Sequence, residues 1–278
     1  MRFAGRSATL GFVFAAALAA ALLAYPGASR AADPDKPTFD VGLYLWGASV
    51  ATKIESEQFD ASSHISFSDV LDNLNVAAMA RARANFGKAS VVYDGEYLDL
   101  ETDREQKTVN VGPGPGIDLT GSAKAKLEAY LLELNTGYEV FNVDGPFSKG
   151  PSDDRGTRGE LYVGARYYSM KPQIELEGPF GRRDLGNWIT WVDGLVGARV
   201  FIDLSKTVVL GAQGDVGGFN IGNSSNLAWS QITSLSWNCS DSVTLALGYK
   251  FLNFRKEDGD NTTKIEIRGP FLASFYRF

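Results

Sequence analysis

Cysteine and histidine are nearly absent: the 278 residues contain one of each, Cys239 and His64. A lone cysteine cannot form an internal disulfide, which excludes a small stapled secreted domain. A lone histidine excludes a metal site built from several imidazoles, and we expect neither a metal nor a cofactor. Bases are fewer than acids, 27 against 33. Arg2 and Arg6 precede an apolar run from Leu10 to Tyr25, and the small-residue stretch Gly27-Ala28-Ser29-Arg30-Ala31-Ala32 follows. That is the order of a secretory signal peptide, expected over residues 1–31 with one domain over 32–278. Arg2, Arg6 and Arg30 leave with it, so 24 of the 27 bases face 33 acids and the net charge becomes −9. Such a balance argues against nucleic acid as a partner, because phosphate contacts need a basic face. No later apolar run approaches the roughly 18–20 residues of a spanning helix. No cysteine follows the cut site to carry a lipid anchor.

What recurs instead is period-two alternation over 10–13 residues, closed by short polar turns. From Thr190 the even positions read Thr190, Val192, Gly194, Val196, Ala198, Val200 and Ile202, against Asp193, Gly197 and Arg199. From Val243 the odd positions read Val243, Leu245, Leu247, Tyr249 and Phe251, against Thr244, Ala246, Gly248 and Lys250. A soluble barrel buries its apolar face; a transmembrane barrel turns that face to lipid and its polar face to the lumen. Segment length favours the second, since about 9–11 tilted residues cross a bilayer and soluble strands usually run five or six. Aromatic residues also sit near both ends of apolar faces, as at Tyr130 and Tyr138 or Trp229 and Trp237.

The ending, with Leu272, Tyr276 and Phe278 on one parity, resembles the C-terminal assembly signal of bacterial outer-membrane barrels; polar Ser274 departs from it. More widely, Tyr44-Leu45-Trp46, Ser66-Phe67-Ser68-Asp69-Val70-Leu71-Asp72-Asn73-Leu74, Val196-Gly197-Ala198-Arg199 and Asp215-Val216-Gly217-Gly218-Phe219 are similar to motifs of a proteobacterial family of largely uncharacterised, porin-like small outer-membrane barrels. So are Gly269-Pro270 and Phe275-Tyr276-Arg277-Phe278. The resemblance covers most of the mature chain. It implies an all-β, antiparallel up-and-down transmembrane barrel in the outer membrane, reached through the periplasm. Its implied partners are outer-membrane lipid, lipopolysaccharide and the barrel-assembly machinery. It implies no activity, and oligomeric state stays open.

Counting back from the C-terminus gives ten strands: 264–278, 242–254, 226–238, 207–219, 190–202, 159–170, 124–141, 89–102, 76–86 and 38–52. Ten is even, as bacterial barrels require; the range is 8–12, with twelve if 58–66 joins the wall. Periplasmic turns would be 86–89, 203–206 and 238–241, with a long connection at 142–158. Folding the hairpin at Gly87-Lys88 sets Arg81 opposite Asp94 and Met79 opposite Glu96, in agreement with the parities read from each strand separately. Those parities place eight acids inside, Asp40, Asp94, Glu96, Glu133, Glu139, Glu160, Asp193 and Asp215. Five bases accompany them: Arg81, Arg83, Arg166, Arg199 and Lys250. Such a lumen is either a narrow passive, cation-preferring pore or a closed polar core held by Arg–carboxylate pairs.

The final strand contains a conflict. Ile265 and Ile267 put the apolar face on odd positions, whereas Leu272, Tyr276 and Phe278 put it on even ones. A bulge at Gly269-Pro270 would reconcile them, unless 264–268 projects beyond the membrane. Ser68 to Leu74 predicts a short capped helical turn that either constricts the mouth or packs on its own loop. The His64-x-Ser66 spacing resembles that of outer-membrane phospholipase A, with Asn73 or Asn75 as an orienting group, and defines a lipid-modifying alternative; a surface-interaction barrel is another. The rest of that enzyme's motif is missing, and our expectation is no catalysis. Gly112-Pro113-Gly114-Pro115-Gly116 lacks the backbone donors of a phosphate loop. Glu257, Asp258 and Asp260 read as a solvated loop.

Overall fold

β-Branched and aromatic residues on alternate positions fit a pleated surface, and strands dominate the chain. The computed structural model describes residues 37–55, 60–101, 105–111, 117–145, 156–178, 181–185, 187–258 and 261–278. The expected signal segment, the Gly112–Gly116 stretch and Asp260 lie outside the described residues. The elements are β1 (Thr38–Trp46), β2 (Ser49–Glu55), β3 (Asp60–Ile65), α1 (Phe67–Asp72), β4 (Leu74–Phe86), β5 (Ala89–Glu101), β6 (Glu105–Val111) and β7 (Ile117–Asp144). They continue with β8 (Gly156–Gly178), β9 (Gly181–Leu185), β10 (Ile189–Asp203), β11 (Val208–Gly218), β12 (Leu227–Asn238), β13 (Val243–Asp258) and β14 (Asn261–Arg277).

Ten strands pair antiparallel in the order β1-β4-β5-β7-β8-β10-β11-β12-β13-β14, and β1 pairs back to β14 to close the ring. Closure leaves no unpaired edge in the wall. The other four strands lie off it: β2 pairs with β14, β3 with β2, β6 with β7 and β9 with β8. β3, the described strand within 58–66, therefore adds no wall strand. One end of the barrel carries short connections, such as Gly87-Lys88, where Gly87 takes φ +59° with open space around it. That turn end also holds both ends of the ring, Thr38 and Arg277. The opposite, loop end carries β2, β3, α1, β6 and β9.

The facing is inverted relative to a soluble protein. Leu45, Leu134, Leu161, Val163, Leu247 and Leu272 point outward and are more than half exposed, while Arg199, Asp193 and Arg166 are at most 3% exposed. An apolar exterior around a charged interior defines a transmembrane barrel. Aromatic residues mark its two margins: Tyr138, Trp237 and Phe278 toward the turn end, and Trp229 stacked on Phe251 toward the loop end.

The bulge expected at Gly269-Pro270 does not form. Register between β13 and β14 is unbroken from Tyr276 opposite Val243 to Asn261 opposite Asp258. Ile265 and Ile267 instead face inward, packed on the interior apolar cluster, while Leu272 and Phe278 face outward. Strict alternation holds because the interior is itself apolar toward the loop end. The irregularity lies on the facing strand. Trp46 sits opposite Phe271 and Ser49 opposite Arg268, so β1 and β2 keep one register against β14 and are interrupted only at Gly47-Ala48. This splits the strand expected over 38–52. Gly47 donates to the Pro270 carbonyl at 2.8 Å, but Pro270 has no N–H to return. The Ala48 N–H turns back to the Trp46 carbonyl at 2.9 Å.

α1 confirms the capped turn but starts it earlier. Ser66 is the N-cap, Asp69 completes a capping box, and hydrogen bonds from Ser66 hold the Asp69 carboxyl below the usual carboxylate range. Val70 is buried and Leu71 is exposed.

Candidate functional site

The charged interior is arranged in three layers along the barrel axis. At the loop end the layer is aromatic. Tyr168 stacks on Trp191 at 4.6 Å, and Phe254 packs against both at 5.1 and 5.2 Å. Tyr168, Leu252 and Phe254 are essentially inaccessible. The 219–226 connection is tied over this layer. Trp191 Nε1 donates to Ser225 Oγ at 2.9 Å, the Ser225 N–H donates to Asp193 Oδ1 at 2.7 Å, and Lys256 Nζ donates to the Asn223 carbonyl at 2.8 Å. Asp193 thus anchors a loop; Asp193 Oδ2 and the Tyr168 hydroxyl have no hydrogen-bond partner among the described residues.

The middle layer is ionic. Arg81 Nη1 donates to Asp94 Oδ2 at 3.0 Å, and Arg81 Nη2 donates to Gln213 Oε1 at 2.9 Å. Asp94 stands opposite Arg81 in the hairpin register, and Glu96 opposite Met79. Lys250 bonds to Glu96 and lies 3.6 Å from Asp94 Oδ1. The Tyr44 hydroxyl lies 2.6 Å from both Asp94 and Glu96, with a single proton to offer. Across the barrel, Arg166 donates to Glu133 Oε2 at 2.6 and 2.9 Å, to Asp215 at 2.9 and 3.0 Å and to Ser230 Oγ at 3.1 Å. Tyr162 lies against Gly197, where a Cβ would come within 2.4 Å of its ring, and donates to Asp215 at 3.1 Å. Glycine there is what lets the ring lie flat on the wall.

The turn-end layer is rich in arginine. Arg83 pairs with Glu160, which also accepts from Ser90 Oγ at 3.0 Å. Arg199 bonds to Asn135 and lies over the Tyr162 ring at 4.3 Å. A Cβ at Gly137 would meet Ser90 Oγ at 2.8 Å and Glu160 Oε2 at 3.1 Å, so this layer fits only because that residue is glycine. Glu139 stands opposite Glu160 at a register shift and makes no ion pair among the described residues. Asp40 accepts from Arg277 Nε at 2.7 Å. Between the middle and turn-end layers lies a cavity of about 160 Å³, walled by Phe201, Phe271 and Phe275 and topped by Arg81, Asp94 and Lys250.

Sequence parity did not include Arg158, which shares its face with Glu160 and Arg166 but precedes the strand expected over 159–170; β8 begins at Gly156. It also did not anticipate that Trp191, on the parity of Asp193 and Arg199, faces inward. The terminal residues Leu272 and Phe278 are outward and exposed, and Tyr276 packs on Phe278 at 5.0 Å. His64 stands opposite Ala51 on β3, whereas Ser66 lies beyond that strand and its hydroxyl is engaged by Asp69 at 2.7 Å. No hydrogen bond joins His64 to Ser66 among the described residues, and Asn73 is bonded to the Asp69 carbonyl at 2.6 Å. Among the described residues there is also no cluster of three or more histidine, cysteine or acidic residues able to hold a metal.

Neither a family model nor a curated protein matches this sequence. Among solved structures, the outer membrane protease OmpT from Escherichia coli is similar with a TM-score of 0.49 and 11% identity, over 90% of this chain and 99% of that one. The translocator domain of the autotransporter NalP from Neisseria meningitidis gives 0.39 and 15%, over 99% and 100%. Neisserial surface protein A gives 0.33 and 11%, over 86% and 97%. The barrel itself is defined by its strand pairing.

Proposed function

We propose that this chain is an integral outer-membrane barrel whose lumen is closed, serving a structural or surface role and not passive conduction. One contact carries the reading. Arg81 on β4 and Gln213 on β11 stand five strands apart in a ring of ten, and their side chains meet at 2.9 Å. A hydrogen bond across the full diameter divides the lumen at that level, and the Arg166 cluster beside it fills part of the remaining space. The aromatic layer toward the loop end supports the same reading. Small barrels are filled by side chains in this way, and paired carboxylates and guanidiniums make the filling affordable in a confined space.

In this reading the turn end faces the periplasm and the loop end faces outward. The outward apolar band meets lipid. The test is electrical. Purified protein in a planar bilayer with molar potassium chloride is expected to give no discrete conducting steps, while Arg81→Ala combined with Gln213→Ala opens small ones. Steady conductance of the unaltered protein would overturn the closed-lumen reading and restore the narrow pore.

A further inference from the structure

We propose that Arg83, Arg158 and Arg199 form a binding site for a small oxyanion at the turn end of the barrel interior. Three strands, β4, β8 and β10, bring these guanidiniums together. Arg83 and Arg158 both lie over the ring of Phe201, at 5.2 and 4.8 Å. Arg83 and Arg199 both approach Glu160, the latter through Nε at 3.5 Å.

The donors outnumber their acceptors. Arg199 is 1% exposed, yet its Nε and Nη1 make no hydrogen bond among the described residues. Arg158 Nε is likewise buried without a partner, and Arg158 makes no ion pair among the described residues. The nearby carboxylates are already committed or poorly placed. Glu160 serves Arg83 and Ser90, Asp40 serves Arg277, and Asp203 accepts from the Gly156 N–H at 2.8 Å. Glu139 lies opposite Glu160 and bonds none of the three arginines.

An arginine cannot relieve its burial by shedding a proton, and a buried charge without a hydrogen-bonded counter-charge is costly. An oxyanion reaching Arg158 Nε and Arg199 Nη1 supplies the acceptors these donors lack. A forked guanidinium matches two oxygens of one anion, which favours a carboxylate or phosphate group over a spherical ion.

The experiment uses the full-length protein in detergent, in a buffer free of both anions, titrated separately with inorganic phosphate, acetate and chloride by calorimetry. Saturable binding of phosphate or acetate is expected, and the preferred one tells a tetrahedral site from a carboxylate site. Arg158→Gln removes a guanidinium that has no ion pair to lose, and it should weaken that binding at least about tenfold. Arg277→Gln, at the same end but outside the cluster, should leave it unchanged. Absence of saturable binding by both oxyanions, equal binding of chloride, or unaltered binding in the Arg158→Gln variant would each overturn the site. Conductance does not enter these readouts, so the closed-lumen reading stands or falls separately.

Discussion

Replacing Arg166 by alanine is expected to destabilise the folded barrel by about 3–5 kcal/mol, the usual consequence of leaving buried charge unpaired. Arg166 is the hub of the middle layer. It ties Glu133 on β7, Asp215 on β11 and Ser230 on β12 to β8. All four side chains are buried, with Asp215 at 5% and Glu133 at 9% exposure. Without the guanidinium, the hydrogen bonds left to the two carboxylates come from neutral groups, Asn135 to Glu133 and Tyr162 and Ser230 to Asp215. The measurement is a urea titration in lipid vesicles followed by tryptophan fluorescence, in which the midpoint falls without a change of slope. Pairing Arg166→Met with Glu133→Gln and Asp215→Asn should recover most of the loss, because no charge is then left uncompensated. A single substitution within about 0.5 kcal/mol of wild type would mean that water already solvates this layer.

The second large effect is expected at Gly269. A Cβ there would sit 1.9 Å from the Gly47 carbonyl oxygen and 3.0 Å from Ala48 Cα. These are backbone atoms of the strand that closes the ring, and they cannot swing aside like the end of a side chain. Gly269→Val should therefore push β14 away from the β1–β2 line and cost about 3 kcal/mol or more, the upper range of overpacking. Gly87→Ala provides the contrast. Open space surrounds that residue and only its positive φ is at stake, so the cost is about 1–2 kcal/mol. Equal small losses at both positions would show that β1 and β14 are not held together at Gly47.

These two sites also show how far sequence alone reaches. The Arg81–Asp94 pair was legible because a two-residue turn at Gly87-Lys88 fixes hairpin register, and period two then fixes facing. Asp94, Glu133, Arg166, Arg199 and Lys250 were legible for the same reason: a charge on an otherwise apolar strand points away from lipid. The converse rule, that an apolar residue points toward lipid, is where the reading failed. Ile265, Ile267, Trp191 and Leu252 are apolar and face inward, because the loop-end layer is filled by rings and aliphatic groups. One strand with two apparent parities then called for a bulge that the fold does not need. The split at Gly47-Ala48 was illegible from its own residues, since its cause is the missing N–H of Pro270, more than two hundred positions later. Beyond that hairpin, which arginine meets which acid was out of reach of parity. Asp193 stands opposite Arg166 in register, yet Arg166 turns to Glu133 and Asp215 while Asp193 binds the Ser225 N–H.

The inverted facing of the wall is tested most directly by single cysteines placed one at a time along 264–278, in a background with exposed Cys239 replaced by serine. Each is labelled with an environment-sensitive fluorophore and read by a quencher dissolved in the lipid. Positions 272, 274 and 276 are expected to be quenched, and 265, 267, 271, 273 and 275 to be protected, with no change of parity at 269–270. A reversal of parity across Gly269-Pro270, or equal quenching of Phe271 and Leu272 positions, would contradict the regular strand and the inward facing of the apolar layer.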